Sequence, residues 1–203
     1  MKKQLITFDL KKINITAIVM FAVPYAIAET LRFTVFTERL WHVVWWDIIL
    51  LIAGYVLLLA AHEGLHALAM IMCGAKPSSI RFGVIPKQFM LYCTTDTPLS
   101  ARKYAFVLVL PGIVTGLIPL ALATVFLNFP YVILFAALLS GAGGDAVMFM
   151  SVCRLKPAAL VLDHPEAPAY YVLYPENELP NDFVEVTEEQ ERELRERMRG
   201  NKR

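Results

Sequence analysis

Two histidines and a glutamate lie together in the stretch His62-Glu63-Gly64-Leu65-His66, which has the pattern H-E-x-x-H. Side chains four residues apart project from the same face of an α-helix. His62 and His66 can therefore bind one cation, and this spacing is typical of a Zn²⁺ site. Glu63 can act as the general base toward a water that the metal activates. The alternative is a hydrogen-bonded polar cluster that holds helices together.

A catalytic zinc site usually has three protein ligands and one open position, so a third ligand is needed. Asp145 is the best candidate, because it is the only carboxylate between Asp96 and Asp163 and lies in an apolar run. Three glycines before it would let the fourth helix approach the second closely, or loosen the fourth helix so that Asp145 reaches the metal; ordinary small-residue helix packing is the alternative. The glycines are Gly141, Gly143 and Gly144. The alternative is that Asp145 pairs with a cation, for which the candidates are Arg102, Lys103 and Arg154.

Other possible ligands are weaker candidates. His164, in Asp163-His164-Pro165, is more typical of a turn residue, and His42 lies next to a tryptophan cluster. Cys73 and Cys153 come at the predicted ends of helices, where packing is the simpler interpretation.

The composition indicates a membrane protein. Of 203 residues, 57% are hydrophobic and 18% charged, against roughly half and a quarter in a soluble domain. The excess lies in long runs, which predict membrane-spanning helices. A net charge of +1 gives no reason to expect a nucleic-acid partner. The three cysteines have no C-x-x-C spacing, and we expect no disulfides.

We predict an α-helical integral membrane protein with about four transmembrane helices and a cytoplasmic β-hairpin between spans two and three. The spans are about 13–36, 43–73, 104–127 and 131–153, and the hairpin is 78–95, with Pro86-Lys87 at its turn. Ala26-Ile27-Ala28 resembles a signal-peptide cleavage site, but apolar residues resume at Leu31, which favours an uncleaved span. Residues 1–157 form the membrane domain, and 158–203 form a small polar cytoplasmic tail.

Within the tail, Leu160 to Asp163 and Tyr170 to Tyr174 are β-prone. Thr187 and Gln190 form a capping box for a charged helix from Glu188 to Arg199.

Positive charge is unevenly distributed between the two sides of the predicted membrane. One side collects residues 1–12, Lys76, Arg81, Lys87, Arg102, Lys103, Arg154 and Lys156, while the other has Arg32 and Arg39. By the positive-inside rule, both termini and the hairpin lie in the cytoplasm of a multi-pass protein of the cell membrane.

The motif, the hairpin and Gly144-Asp145 together resemble the site-2 protease class of intramembrane zinc metalloproteases. More closely, the chain resembles a family of small bacterial membrane zincin peptidases, over about Val43 to Cys153. The resemblance implies His62, His66 and Asp145 as Zn²⁺ ligands and Glu63 as catalytic base. Two features depart from the larger class: the usual Asn after Pro111-Gly112 is missing, and the Asp is not in Leu-Asp-Gly.

The predicted function is therefore that of a zinc-dependent membrane-embedded endopeptidase acting on peptides or transmembrane segments. An edge of the hairpin could hold an extended substrate as an added strand. The alternatives are a zinc-binding membrane protein without protease activity, acting as a scaffold or regulator, and a metal or proton transporter. The absence of an inverted repeat disfavours the transporter.

Overall fold

A computed structural model describes residues 1–35, 44–85, 90–126, 129–165, 167–177, 179–180 and 183–199. Some predicted features lie outside these residues: the connection from Thr37 to His42 and the hairpin turn Pro86-Lys87. The chain forms two compact units. The first comprises Met1–Phe8, His66–Val107 and Met148–Arg203, and the second comprises Asp9–Leu65 and Leu108–Val147. The predicted division after residue 157 stays a prediction.

The second unit is helical. Its elements are α1 (Leu10–Thr34), α2 (Trp45–Met72) as far as Leu65, a π-helical segment (Gly112–Leu117), α4 (Ile118–Phe126), α5 (Phe129–Gly141) and the start of α6 (Gly143–Val152). Helix α1 begins at Asp9, whose side chain accepts a hydrogen bond from the N–H of Lys11. This contact satisfies one of the donors left open at a helix N-terminus. Apolar residues of α1, α4 and α5, including Ala28, Ala123 and Val132, form the buried core.

Among the described residues, three helical stretches are long and apolar enough to cross a membrane, namely Leu10–Thr34, Trp45–Met72 and Ala101–Phe126. The last consists of α3 (Ala101–Pro111), the π-helical segment and α4. The fourth predicted span differs from a single straight helix. It consists of α5 and α6, which are bent by 42° at a short break. If this bent pair counts as one span, the described part of the chain has up to four segments that could cross a membrane by length and composition. The glycines around Ala142 explain why the chain bends there, since glycine favours a continuous helix less than other residues do.

The first unit contains a four-stranded antiparallel sheet in the order β1-β6-β5-β4. Its strands are β1 (Lys2–Thr7), β4 (Leu99–Ser100), β5 (Leu160–Asp163) and β6 (Ala169–Tyr174). The two strands predicted after the last span are confirmed. Strands β1 and β4 were not predicted, because six residues with two lysines and a two-residue strand carry little alternation of their own. Tyr104 and Tyr170 are fully buried here.

The predicted hairpin is also present in the first unit. A short 3₁₀ turn (Pro77–Ser79) leads into β2 (Ile80–Ile85), which pairs antiparallel with β3 (Met90–Thr95). Gly83 lies opposite Tyr92, and a Cβ at Gly83 would fall 2.2 Å from the tyrosine ring. The aromatic ring therefore occupies the space that any larger residue at position 83 would need.

Helix α7 (Glu188–Arg199) closes the chain and has the predicted capping box. The N–H of Gln190 donates to Thr187 Oγ1, and the N–H of Thr187 donates to Gln190 Oε1. Leu194 is buried and packs with Ala169 and Leu5 of the sheet. Leu194 thus anchors the helix to the sheet.

Candidate metal centre

Helix α2 runs without interruption from Trp45 to Met72 and carries the H-E-x-x-H stretch in its C-terminal half. His62 and His66 are almost completely buried, at 3% and 6% exposure, and Glu63 between them is half-buried. The boundary between the two units falls between Leu65 and His66. Because the helix is continuous there, His66 follows His62 by one turn on the same face.

Asp145 lies in the first turn of α6 and faces the first histidine. Its Oδ2 atom is 3.2 Å from His62 Nε2, and its side chain is 21% exposed. One ligand atom from each of His62, His66 and Asp145 lies within 4.8 Å of the other two, an arrangement that could hold a metal ion. The structure therefore brings together the three residues that the sequence selected, although His62 and Asp145 are 83 residues apart in the chain. Their role as ligands stays a prediction.

The bend between α5 and α6 orients Asp145, and α1 holds that bend. Ser140 donates its hydroxyl to the carbonyl of Ala17 at 2.8 Å. Gly143 lies so close to α1 that an added Cβ would be 2.9 Å from the Cα and Cβ of Ala17. Gly141 has open space around it instead. The prediction that these glycines pack the fourth span against the second is wrong, because the close contact is made by Gly143 and its partner is α1.

Each histidine has a hydrogen-bond acceptor at Nδ1. His66 Nδ1 is 3.1 Å from the carbonyl oxygen of Val107, and His62 Nδ1 is 3.1 Å from Thr115 Oγ1. A carbonyl oxygen only accepts, so His66 Nδ1 donates. The hydroxyl of Thr115 donates its own proton to the carbonyl of Pro111 at 2.8 Å, and it therefore accepts from His62. In a neutral imidazole, Nε2 is then the nitrogen with the lone pair.

This donor set fits Zn²⁺. With Nδ1 of His62 donating to Thr115, the lone pair of its Nε2 faces a carboxylate oxygen of Asp145 at 3.2 Å. Two acceptors at this distance repel each other unless a cation or a proton lies between them. Two neutral imidazoles and one carboxylate are a ligand set of catalytic zinc sites. The Nδ1–H groups donate to Thr115 and to the carbonyl of Val107, and metal-binding histidines usually donate their other ring N–H in this way.

The other candidates lie elsewhere. His164 is buried in the turn after β5, where its N–H donates to the carbonyl of Ala169. Cys73 donates its thiol weakly to the carbonyl of Lys103, and Cys153 is exposed. Cys73 and Cys153 are not in disulfides, and His42 lies outside the described residues. Lys103 donates to the carbonyl of Cys73.

Sequence reasoning missed the two acceptors, Val107 and Thr115. Val107 acts through its backbone carbonyl, which leaves no mark in the sequence. A threonine in an apolar span is common, because its hydroxyl can bond to its own helix. The available signal was Pro111, because a proline leaves the carbonyl four residues earlier, that of Val107, without its helical N–H donor.

Comparison with known proteins gives the family. Residues 55–160, which include all three candidate ligands, match the model of a family described as "Putative zincin peptidase". The chain belongs to this family. The family description indicates a zinc-dependent peptidase.

A protein of Pyrococcus woesei, titled "Uncharacterized 24.7 kDa protein in gap 5'region", is similar to this family member. It is 28% identical over 116 residues, which are 56% of this chain and 50% of the relative. The chain thus matches about half the length of that relative. No solved structure matches the chain significantly.

Proposed function

We propose that this protein is a zinc-dependent, membrane-embedded endopeptidase whose metal ligands are His62, His66 and Asp145 and whose general base is Glu63. The observation that supports it best is the convergence of three ligand atoms within 4.8 Å. Membership of a zincin family supports the peptidase chemistry. A Glu in the sequence position next to the first ligand is the arrangement expected of H-E-x-x-H metalloproteases.

Zinc bound here would polarise a peptide carbonyl and lower the pKa of a water toward about 7. Glu63 then accepts a proton from the water as the water oxygen adds to the carbonyl carbon. As the C–N bond breaks, Glu63 returns the proton to the leaving amine, so that one water is consumed for each bond cleaved. The half-buried setting of Glu63 strengthens its electrostatic interactions with these groups, because the local dielectric is low.

A location in the bilayer is supported by the surface of α2. Large apolar side chains on this helix are exposed, including Ile52, Val56 and Leu57 at 60–70%. A continuous exposed apolar surface of this kind is costly in water and favourable in lipid. At about 1.5 Å per residue, its 28 residues span roughly 42 Å, more than the hydrocarbon core of about 30 Å.

The four-stranded sheet supports four crossings with both termini on one side. Strand β1 precedes the first long helix, β4 precedes the third, and β5 and β6 follow the fourth. Hydrogen-bonded strands of one open sheet must lie on the same side of a bilayer, because an unpaired backbone is excluded from lipid. We propose that this side is the cytoplasm, because positive charges collect near these segments.

The substrate we propose is an extended peptide or an unwound membrane segment. The β2–β3 hairpin lies in the same unit as His66, and in the described part of the chain its sheet is two-stranded, so it has edges that a third strand could join. Membrane substrates must unwind in any case, since a helix hides its carbonyls in internal hydrogen bonds.

The test separates metal binding from proteolysis. The full chain is purified in detergent, and its zinc stoichiometry and its cleavage of fluorogenic membrane-spanning peptides are measured. We expect one zinc per chain in wild type, and at least a tenfold weaker affinity in Asp145→Ala and His66→Ala, because each loses a ligand. Equal zinc affinities of all three proteins, measured by competition with a chelator, would refute the metal site.

Glu63→Gln should keep its zinc and lose at least 100-fold in turnover, since general-base catalysis contributes about 10²–10⁴-fold. Gly64→Ala is the matched control, since Gly64 is the neighbouring residue and a Cβ added there has no atom within 4 Å. This variant should retain activity. A Glu63→Gln variant as active as this control would exclude Glu63 as the base. Zinc binding without cleavage in wild type would favour the binding-protein alternative, and metal flux into vesicles would favour a transporter.

A further inference from the structure

The third long helix has an irregularity centred on Pro111. Helix α3 ends at this residue, and Gly112–Leu117 are π-helical. The N–H of Ile118 there donates to the carbonyl of Ile113, five residues back rather than four. Single π-helical turns within α-helices occur frequently at functional sites, since they change which atoms a helix presents to its neighbours.

One consequence of Pro111 concerns the carbonyl of Val107. In a regular α-helix, the N–H of residue 111 donates to the carbonyl of residue 107. Proline has no N–H, so this donor is missing. His66 Nδ1 lies 3.1 Å from the same oxygen, at a residue that is fully buried. The histidine thus supplies a hydrogen bond where the helix supplies none.

A second consequence concerns the carbonyl of Pro111 itself. It accepts the hydroxyl proton of Thr115 at 2.8 Å. Because that proton is used, the hydroxyl oxygen can only accept from His62 Nδ1, 3.1 Å away. Thr115 is 4% exposed, and in this low-dielectric setting both hydrogen bonds are strong and water does not replace them.

Close packing fixes this segment against the helices that carry Asp145. A Cβ at Gly116 would lie 2.9 Å from the Cα of Leu139 in α5, and one at Gly112 would lie 3.3 Å from the Cβ of Ala142 at the α5–α6 break. The hydroxyl of Thr115 and the carboxylate of Asp145 are therefore positioned by one rigid contact region. Both face the same imidazole, that of His62.

We propose that Pro111 and Thr115 are positioning residues that hold both histidines with Nδ1 protonated and Nε2 directed to the metal. The inference rests on the proposed zinc site. Hydrogen-bond partners of this kind fix the orientation and tautomer of a ligating histidine, and their loss lowers metal affinity about 10–100-fold. The third helix would thus serve both ligands of α2 through one proline, without contributing a ligand.

The first test compares Thr115→Val with Thr115→Ser. Valine has nearly the shape of threonine and lacks the hydroxyl, while serine retains it. Zn²⁺ affinity of the detergent-purified full chain is measured by competition with a chromophoric chelator. We expect about 10–100-fold weaker binding in Thr115→Val and near wild-type binding in Thr115→Ser. Equal affinities in wild type and Thr115→Val would overturn the role of Thr115.

The second test uses Pro111→Ala, which restores an N–H that competes with His66 for the carbonyl of Val107. Zinc should bind about tenfold more weakly, while the melting temperature of the metal-free protein stays equal or rises, because proline is unfavourable within a helix. If Pro111 had only a structural role, its replacement would lower both the zinc affinity and the melting temperature, or neither. Pro119→Ala, a proline of the same span, is the control and should leave zinc affinity unchanged. The role of Pro111 is refuted if both variants bind zinc alike.

A third measurement does not require metal. In the metal-free protein labelled with ¹⁵N-histidine, the resonances of His62 and His66 are assigned by single His→Gln variants. Both should carry a proton on Nδ1, and Thr115→Val should shift the Nδ1 resonance of His62 alone. Unprotonated Nδ1 atoms in His62 and His66 would refute the inference even if zinc binds. Absence of zinc binding in wild type would instead refute the proposed function, and the nitrogen spectra would still decide the inference.

Discussion

A methyl group added at Gly143 should both destabilise the protein and weaken its metal site. The new Cβ would lie 2.9 Å from the Cα and Cβ of Ala17 and 3.0 Å from its N. Carbon atoms in contact are normally about 3.5–4.0 Å apart, so α1 and α6 must separate by roughly 0.5–1 Å. Two of the three close atoms are backbone, which cannot rotate away. Overpacking of this kind typically costs about 1–3 kcal/mol.

Gly141→Ala is the matched control, two residues earlier and with no atom within 4 Å of the added Cβ. Both substitutions replace a helical glycine by alanine, which by itself stabilises a helix by about 0.5–1 kcal/mol. This gain cancels in the comparison, so the difference between the variants should equal the overpacking cost of about 1–3 kcal/mol. At about 2–4 °C per kcal/mol for a chain of this size, Gly143→Ala should melt about 2–12 °C below Gly141→Ala.

The assay is thermal unfolding of both variants in the same detergent, followed by zinc competition. Because Asp145 is only two residues from position 143 in α6, displacement of α6 also moves the carboxylate away from His62. Zinc affinity should therefore fall in Gly143→Ala and not in Gly141→Ala. Equal melting temperatures for the two variants would refute the argument that α1 holds the bend.

Two further predictions concern the first unit. Gly83→Ala should loosen the hairpin, since its Cβ would fall 2.2 Å from the Tyr92 ring; limited proteolysis should cut this variant faster, and Tyr92→Ala in the same chain should remove the effect. Stability should fall as pH rises above about 10, because burial first, and then the charge of Glu191, raises the pKa of Tyr171 above its ordinary value of 10.0. The unfolded phenol then releases its proton before the folded one does, and the slope can reach about 1.4 kcal/mol per pH unit. Melting between pH 8 and 12 measures this slope, and an equally steep decline in Tyr171→Phe would contradict it.

Much of the architecture follows from local patterns in the sequence. The long apolar runs predict the helices to within a few residues, as in Trp45–Met72 against a predicted span of 43–73. Alternating β-prone residues predict β2, β3, β5 and β6, and the capping box at Thr187 is present. These features depend on residues close together in the chain, so their physical causes can be read directly.

The candidate site was predictable for a related reason. His62 and His66 are related by helical geometry alone, and Asp145 stands out because a lone carboxylate in an apolar run is costly without a function. Residue type and spacing are therefore sufficient to name the three candidate ligands without any distance between them.

The pairing of the sheet and the hydrogen-bond acceptors of the two histidines could be found only in three dimensions. Strand β1 needs β6 as its partner, 167 or so residues later, and no local pattern carries that information. Whether Gly141 or Gly143 allows the close contact depends on where α1 passes. The acceptors of the two histidines are a backbone carbonyl and a hydroxyl of another helix.

The sequence by itself determined which side chains have the chemistry to bind a metal, because ligand type and helical spacing are local properties. Only the tertiary structure decided how Asp145 faces His62 and which ring nitrogens are directed toward it. The physical reason is that orientation is set by packing and by hydrogen bonds between distant segments, and these depend on the path of the whole chain.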